Sequence, residues 1–427
     1  MSRARASALG AAALLALAAG ARADGLRAGF GTAPLPVRTG ESMGGYGGLS
    51  TRRADGVLDP PEARALVLED SGARVGIVAL DVVIARPSLR ELVVDGTRDL
   101  HLDWLALVAT HTHSGPGGYL PGWLSERLTA GEFEPNMPGA LAHAASQALA
   151  LAVRDLAPAT LSSGNAVVRL ARNRRFADGA NESELALLRA DFAGARPPVL
   201  LFEFGVHATV LSADNHQLSA DWPGVARSEL AAAGWRALFV PGPLGDQEPA
   251  VDLPALASLD EERAALVEFG HRFAREADAA ARALAPAVPA PLVSVERWVD
   301  TPPPQLRSFC SLWWLSPLVS SSLDAFVSKR VPFQGLRAGG AELVTVPAEP
   351  ISAVGSAIRA VLPTGRTRFV VAHANDWLGY VVDPPTYERG GYESCLCLFG
   401  AGTSKWLIDS AAATVRALDA RAEAPAR

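Results

Sequence analysis

The run "WLALVAT" at 104–110 has no polar side chain before its last residue. A stretch so short and so apolar is read as a strand buried on both faces, as in a sheet covered on each side. It has companions in "ARVGIVALDVV" (73–83), "PVLLFEFGVHA" (198–208) and "RALFVPG" (236–242). Helical patterns alternate with them: 87–100, 139–156, 221–234, 258–284 and 402–418. The fourth opens with a Ser-x-x-Glu capping signal at Ser258, and the third carries a proline in its first turn. Strands are also expected at 159–171, 183–192, near 291–300, at 340–346 and in "RFVVAHAND". The predicted fold class is α/β, a mixed sheet layered with helices. No internal repeat breaks the chain, and the only Pro-rich joint, 285–293, is short. One large domain over 24–427 is expected.

Residues 1–23 are excluded from that domain. Arg3 and Arg5 precede an apolar run too short to span a membrane, and "ARA" at 21–23 has the small residues of a cleavage site. This reads as a signal peptide, with an exported, periplasmic or secreted, product. No later segment is apolar enough for a membrane span. Without the three leader arginines the chain holds 36 basic and 45 acidic residues, a net charge of −9 that argues against a nucleic-acid partner. Phosphate-loop, Ser-x-x-Lys and G-x-S-x-G patterns are absent. The three cysteines are Cys310, Cys395 and Cys397; the last pair, at i and i+2 in an expected strand, is too poor a set for a zinc cluster. In an exported chain they leave room for one disulfide and one thiol, or serve as small buried apolar residues. The aromatic, apolar stretch 308–323 reads as either a lid or a buried loop.

Candidate chemistry gathers at strand ends. In "ATHTHSGPGG" (109–118), His111 and His113 follow a buried strand and share a face if the strand continues. The pair suits one metal or one substrate, or two satisfied polar groups. His207 follows the next such strand, with His216 nine residues on. Glu349 in "LVTVPAEPISAVG" lies between a strand and a helix, where a metal ligand and a dipole-favoured carboxylate are both reasonable. Tyr380, Tyr387 and Tyr392 crowd thirteen residues of a chain with five tyrosines, as binding surface or core edge. Glu248 sits in "GPLGDQEPA" (242–250), directly before a proline.

Taken in order, "THTHSGPGG", the His207–His216 loop, "GDQEP", the Pro-x-Glu stretch and "GY…Y…GGYE" resemble the neutral/alkaline non-lysosomal ceramidase family over nearly all of 24–427. "MGGYGGL" and "LDPPEARALVLED" fit it as well. The resemblance implies a zinc-dependent amide hydrolase acting on N-acyl sphingoid bases, hence a lipid or small-molecule substrate. It implies His111, His207, Glu349 and Tyr380 as zinc ligands, and Tyr392 as a stabiliser of the tetrahedral oxyanion. It also implies His113 at the reacting centre, with Arg174 of "RNRR" nearby. Two imidazoles, a carboxylate and a phenol form an N/O shell suited to zinc.

Two departures qualify the expected chemistry. Family members carry a serine in G-D-x-S-P where this chain has Glu248, and the sequence stops short of their C-terminal β-sandwich domain, with a compressed middle section. A carboxylate in the serine's place suggests direct activation of water, with Glu248 as general base or water anchor. The alternatives are an esterase or deacylase acting on a smaller polar substrate, or an inactive zinc- or lipid-binding relative.

Overall fold

A computed structural model describes residues 25–47, 52–254, 256–286, 290–307, 323 and 326–424. The leader reading at 1–23 falls outside these residues, as does the lid-or-loop stretch apart from Leu323 and the proline-rich joint in part. Among the described residues no helix is long and apolar enough to cross a membrane.

Two sheets stack face to face. The larger has eight strands in the spatial order Arg236–Pro241, Val199–Phe204, Glu184–Phe192, Ala157–Val167, Arg27–Pro34, Glu62–Asp70, Ala73–Leu80, Trp104–Ala109. Its two outermost pairs are parallel and the inner pairings are antiparallel. The smaller sheet runs Val293–Asp300, Arg330–Ala338, Ala341–Thr345, Thr367–Val371, with only the last pair parallel. The fold is thus α/β with mixed sheets, as expected, and the mixing places a parallel pair at each functional edge.

The apolar runs are explained by burial on both sides. Trp104, Ala106 and Val108 face a cluster shared with Leu336, Leu343 and Phe369 of the smaller sheet. Leu105, Leu107 and Ala109 turn the other way, toward helices Pro87–Gly96 and Met137–Arg154. Likewise Val199 and Leu201 face the second sheet, while Leu200, Phe202 and Phe204 pack under helices Trp222–Ala232 and Leu259–Ala283. With period-two side chains, a strand covered on both faces leaves little room for polar residues; Glu203 is an exception, paired with Arg359 and accepting from the Val370 amide. Helices Ser352–Arg359 and Thr403–Glu423 cover the smaller sheet, completing a helix–sheet–sheet–helix stack.

Local signals agree with this plan. Ser258 and Glu261 form the reciprocal capping box, and the Asp221 carboxylate accepts from the Trp222 amide. The Cys395–Cys397 stretch is not a strand: Tyr392–Cys395 is one helical turn, Cys395 is disulfide-bonded and Cys397 is a buried free thiol.

The chain leaving strand Ala73–Leu80 enters Asp81, which is fully buried. Its carboxylate accepts a fork of bonds from Arg227 (2.9 and 2.6 Å), one from Thr110 (3.1 Å) and one from the Glu62 amide (2.8 Å). Thr110 immediately precedes His111, so this ion pair fixes the strand exit that leads into the candidate site. Removing one partner strands a charge in the interior. Arg227→Ala is expected to destabilise the fold by about 3–5 kcal/mol in denaturant unfolding.

Candidate metal centre at the strand ends

Each site residue lies just past the carboxyl end of a strand. His111 follows Trp104–Ala109, His207 follows Val199–Phe204, Glu349 follows Ala341–Thr345, and His373 follows Thr367–Val371. Open α/β sheets bind ligands beyond this end of their strands. Two backbone bonds bring the ends together: the Ala109 amide donates to the His373 carbonyl (3.1 Å), and the Ala372 amide to the Pro241 carbonyl (2.9 Å).

The side chains meet in a buried cluster. His207 Nε2 lies 3.0 Å and His111 Nε2 3.5 Å from Glu349 Oε1. His113 Nε2 lies 3.2 Å from His111 Nε2. Ligand atoms around a tetrahedral zinc, each about 2.0–2.1 Å from the ion, sit roughly 3.3 Å apart. His111, His113 and His207 form one group with metal-binding spacing, and His111, Glu349 and His373 form another.

The protonation pattern fits a donor set. His111 Nδ1 faces the Val83 carbonyl at 2.6 Å and His207 Nδ1 the Gln247 carbonyl at 2.8 Å. A carbonyl only accepts, so both Nδ1 atoms carry the proton and both Nε2 atoms present lone pairs, a tautomer assigned from the network. Such backbone acceptors behind a ligating imidazole are what metal sites use to aim the ring. Burial, then Arg174, pushes His207 down to about 4. Burial, then the His111 ring, holds His113 and His373 well below the ordinary imidazole value. Burial alone would raise the Glu349 carboxyl, but the surrounding imidazoles, His111 foremost, outweigh it and leave the group well below its usual range. Neutral imidazoles beside an ionised carboxylate are the forms that bind a cation. His207 Nε2, Glu349 Oε1 and both ring nitrogens of His373 are buried without a hydrogen-bond partner. Orphaned atoms of this kind within one buried cluster fit an ion.

Tyr380 lies beside Glu349 in parallel register. Its hydroxyl accepts from Arg174 at 3.0 Å, and burial, then Glu349, raises the phenol well above its ordinary value. Arg174 also donates to the Gly245 carbonyl (2.9 Å) and pairs with Glu393 (3.0 Å). The exposed ring of Tyr392 stands edge-on to Tyr380, with centroids 5.6 Å apart. Of the expected residues, His111, His113, His207 and Glu349 therefore converge, and Tyr380, Arg174 and Tyr392 adjoin them. His216 stays outside the group, its Nδ1 against the Arg53 carbonyl.

Glu248 is not brought in, which corrects its expected place at the reacting centre. Residues Gln247–Pro249 pair antiparallel with Ala171–Asn173, setting Glu248 opposite Arg172. Its carboxylate accepts from Arg172 at 2.9 Å on a solvent-facing surface. The neighbouring residues face inward. Gln247 supplies the carbonyl behind His207, and Asp246 accepts from the Ser352 amide (2.8 Å), the Ser352 hydroxyl (2.9 Å) and Asn173 (2.8 Å).

Trp377, Tyr46, Arg52, Gly45 and His373 were not singled out from the sequence. Trp377 Nε1 donates to Glu349 Oε2 at 2.9 Å. Tyr46 stacks edge-on to His113, and its amide points at His113 Nδ1 (3.4 Å). Arg52 donates to the His113 carbonyl. Gly45, at φ +78°, lets this loop approach: a Cβ there would lie 2.6 Å from His113 Cα. His373 does follow the pattern that marked His111 and His207, a histidine just after an apolar strand.

A two-sheet α/β protein with a histidine–carboxylate centre at its strand ends is thereby defined. Residues 36–233 match the model of the neutral/alkaline non-lysosomal ceramidase N-terminal domain. It is 29% identical over 215 residues to the neutral ceramidase of Mycobacterium tuberculosis, covering 44% of this chain and 33% of that protein. It is 29% identical over 303 residues to the neutral ceramidase of Pseudomonas aeruginosa, covering 63% and 44% respectively. The chain thus spans less than half the length of either relative. The crystal structure of the P. aeruginosa neutral ceramidase superposes with a TM-score of 0.78 at 23% identity, over 92% of this chain and 75% of that one. A ceramidase complexed with C2 gives 0.79 at 23% identity, over 94% and 77%.

Adjacent residues of the 242–250 loop should respond differently to mutation. Glu248→Gln loses one exposed ion pair and is expected to change unfolding free energy by less than about 1 kcal/mol. Asp246→Asn turns an amide N–H₂ toward groups that are already donors, and is expected to cost about 2–3 kcal/mol in the same assay.

Proposed function

We propose that this chain is an exported, zinc-dependent hydrolase of N-acyl amide bonds, ceramidase-like in its reaction class. The observation carrying the proposal is the convergence of His111, His207 and Glu349, with buried atoms turned inward that no protein group satisfies. His111, His207, Glu349 and Tyr380 would hold the ion. Zinc, when bound, supplies Lewis acidity toward an amide carbonyl and toward water, whose pKa such sites lower to about 7.

The chain's own residues supply aim and charge. His113 accepts at Nδ1 from the Tyr46 amide, so its proton sits on Nε2 and faces the cluster. In this proposal it is a donor to oxygen that gains negative charge, and the exposed Tyr392 hydroxyl is a second. Arg174 is a positioning residue: it fastens the Tyr380 hydroxyl to the Gly245 carbonyl. Nothing in the reaction is assigned to the Glu248 carboxylate, which is engaged with Arg172 outside the cluster. The 242–250 loop acts through backbone carbonyls, at Gly245 and Gln247.

The test is zinc content together with turnover of a panel of N-acyl amides, an N-acyl sphingoid base among them, and matched esters. One zinc per chain with amide turnover is expected, and His111→Ala should lower zinc affinity by about 100-fold or more. Turnover confined to esters would replace the amidase assignment by an esterase. Bound zinc with no turnover of any panel member would leave a binding protein.

A further inference from the structure

His373 is the residue of the cluster to which the family resemblance gives no role. It is fully buried, and neither ring nitrogen has a hydrogen-bond partner. A neutral imidazole carries one N–H and one lone pair, and burying both unmet is costly. Its φ is also +53°, in the left-handed region that few non-glycine residues adopt. Both features belong to a single residue whose ring stacks on His111, with centroids 4.0 Å apart and planes tilted by 31°.

The ring's direction suggests what meets Nε2. Glu349 divides its carboxylate: Oε1 faces His207 and His111, while Oε2 faces His373 Nε2 at 4.0 Å and accepts from Trp377. An ion held by Glu349 and His111 would have His373 within reach, since the donor atoms of His111, Glu349 and His373 all lie within 4.8 Å of one another. Two ligands on opposite sides of one zinc are separated by up to about 4.2 Å, twice the ordinary bond length. The 4.0 Å spacing is within that limit.

We propose that His373 is a further protein ligand of this metal centre, one that raises its coordination beyond His111, His207, Glu349 and Tyr380. The inference rests on the metal-centre reading above. The purely structural alternative is that the ring only packs against His111. The two differ in what a phenyl ring would do, since phenylalanine keeps the stack and has no donor atom.

The test compares wild type, His373→Phe and His373→Gln by zinc competition against a chromophoric chelator, with circular dichroism of the metal-free proteins to confirm folding. Both variants are expected to bind zinc at least about tenfold more weakly. A cobalt-loaded wild type should show weaker visible bands than either variant, because added ligands move the ion away from tetrahedral geometry. If His373→Phe fails to fold, His373→Gln decides. Zinc affinity within twofold of wild type in a folded variant overturns the inference and leaves the metal-centre reading intact. Wild type that takes up no zinc overturns that reading, and this inference with it.

Discussion

The backbone bonds that join strand ends from the two sheets are the constraint on which the site depends. Ala109 to His373 and Ala372 to Pro241 fix three strand exits at one place. Asn375 reinforces the joint, accepting from the Leu107 amide (3.0 Å) and from Arg90 (3.1 Å) while donating to Gln334 (2.7 Å). No side chain of the cluster belongs to a flexible tip. His111, His207, Glu349 and His373 each lie two to four residues beyond the end of a mostly apolar strand, so the end of the apolar run is also the address of the chemistry.

Much of this was legible. The buried strands, the helices and the Ser258 cap follow from period and composition, and His111, His207 and Glu349 were marked by their places after apolar runs. The orientation of Glu248 was not legible. A three-residue pairing decides it, and in a strand a shift of one residue reverses the face. Sequence pattern is too short at 247–249 to reveal that register. His373 escaped for another reason: "RFVVAHAND" reads as one strand, yet ordered pairing stops at Val371 and the backbone turns sharply at His373. The strand Arg27–Pro34, central in the large sheet, was also unmarked, because its Gly29 and Gly31 dilute the apolar signal. Those glycines let helix Met137–Arg154 approach, since a Cβ on Gly31 would lie 2.2 Å from the Ala148 carbonyl oxygen.

The loop containing Glu248 keeps its place at the centre while its role moves from side chain to main chain. Asp246 binds the start of helix Ser352–Arg359, Gly245 holds Arg174, and Gln247 orients His207. Main-chain carbonyls perform the last two tasks and do not depend on residue type. A position in such a loop can change its side chain while the neighbouring backbone still aims an imidazole.

His111 and His373 both have positive φ, at +64° and +53°. Together with the unmet buried nitrogens and carboxylate oxygen, they make the centre a costly part of the interior. An ion bound there acts on the whole chain, because occupancy of the folded state alone adds stability as free ion rises, about 2.7 kcal/mol at a hundredfold excess over Kd. On the proposed reading, metal supply in the surrounding compartment governs how long the folded chain survives as well as whether it reacts, and a melting temperature indifferent to added zinc would refute that coupling.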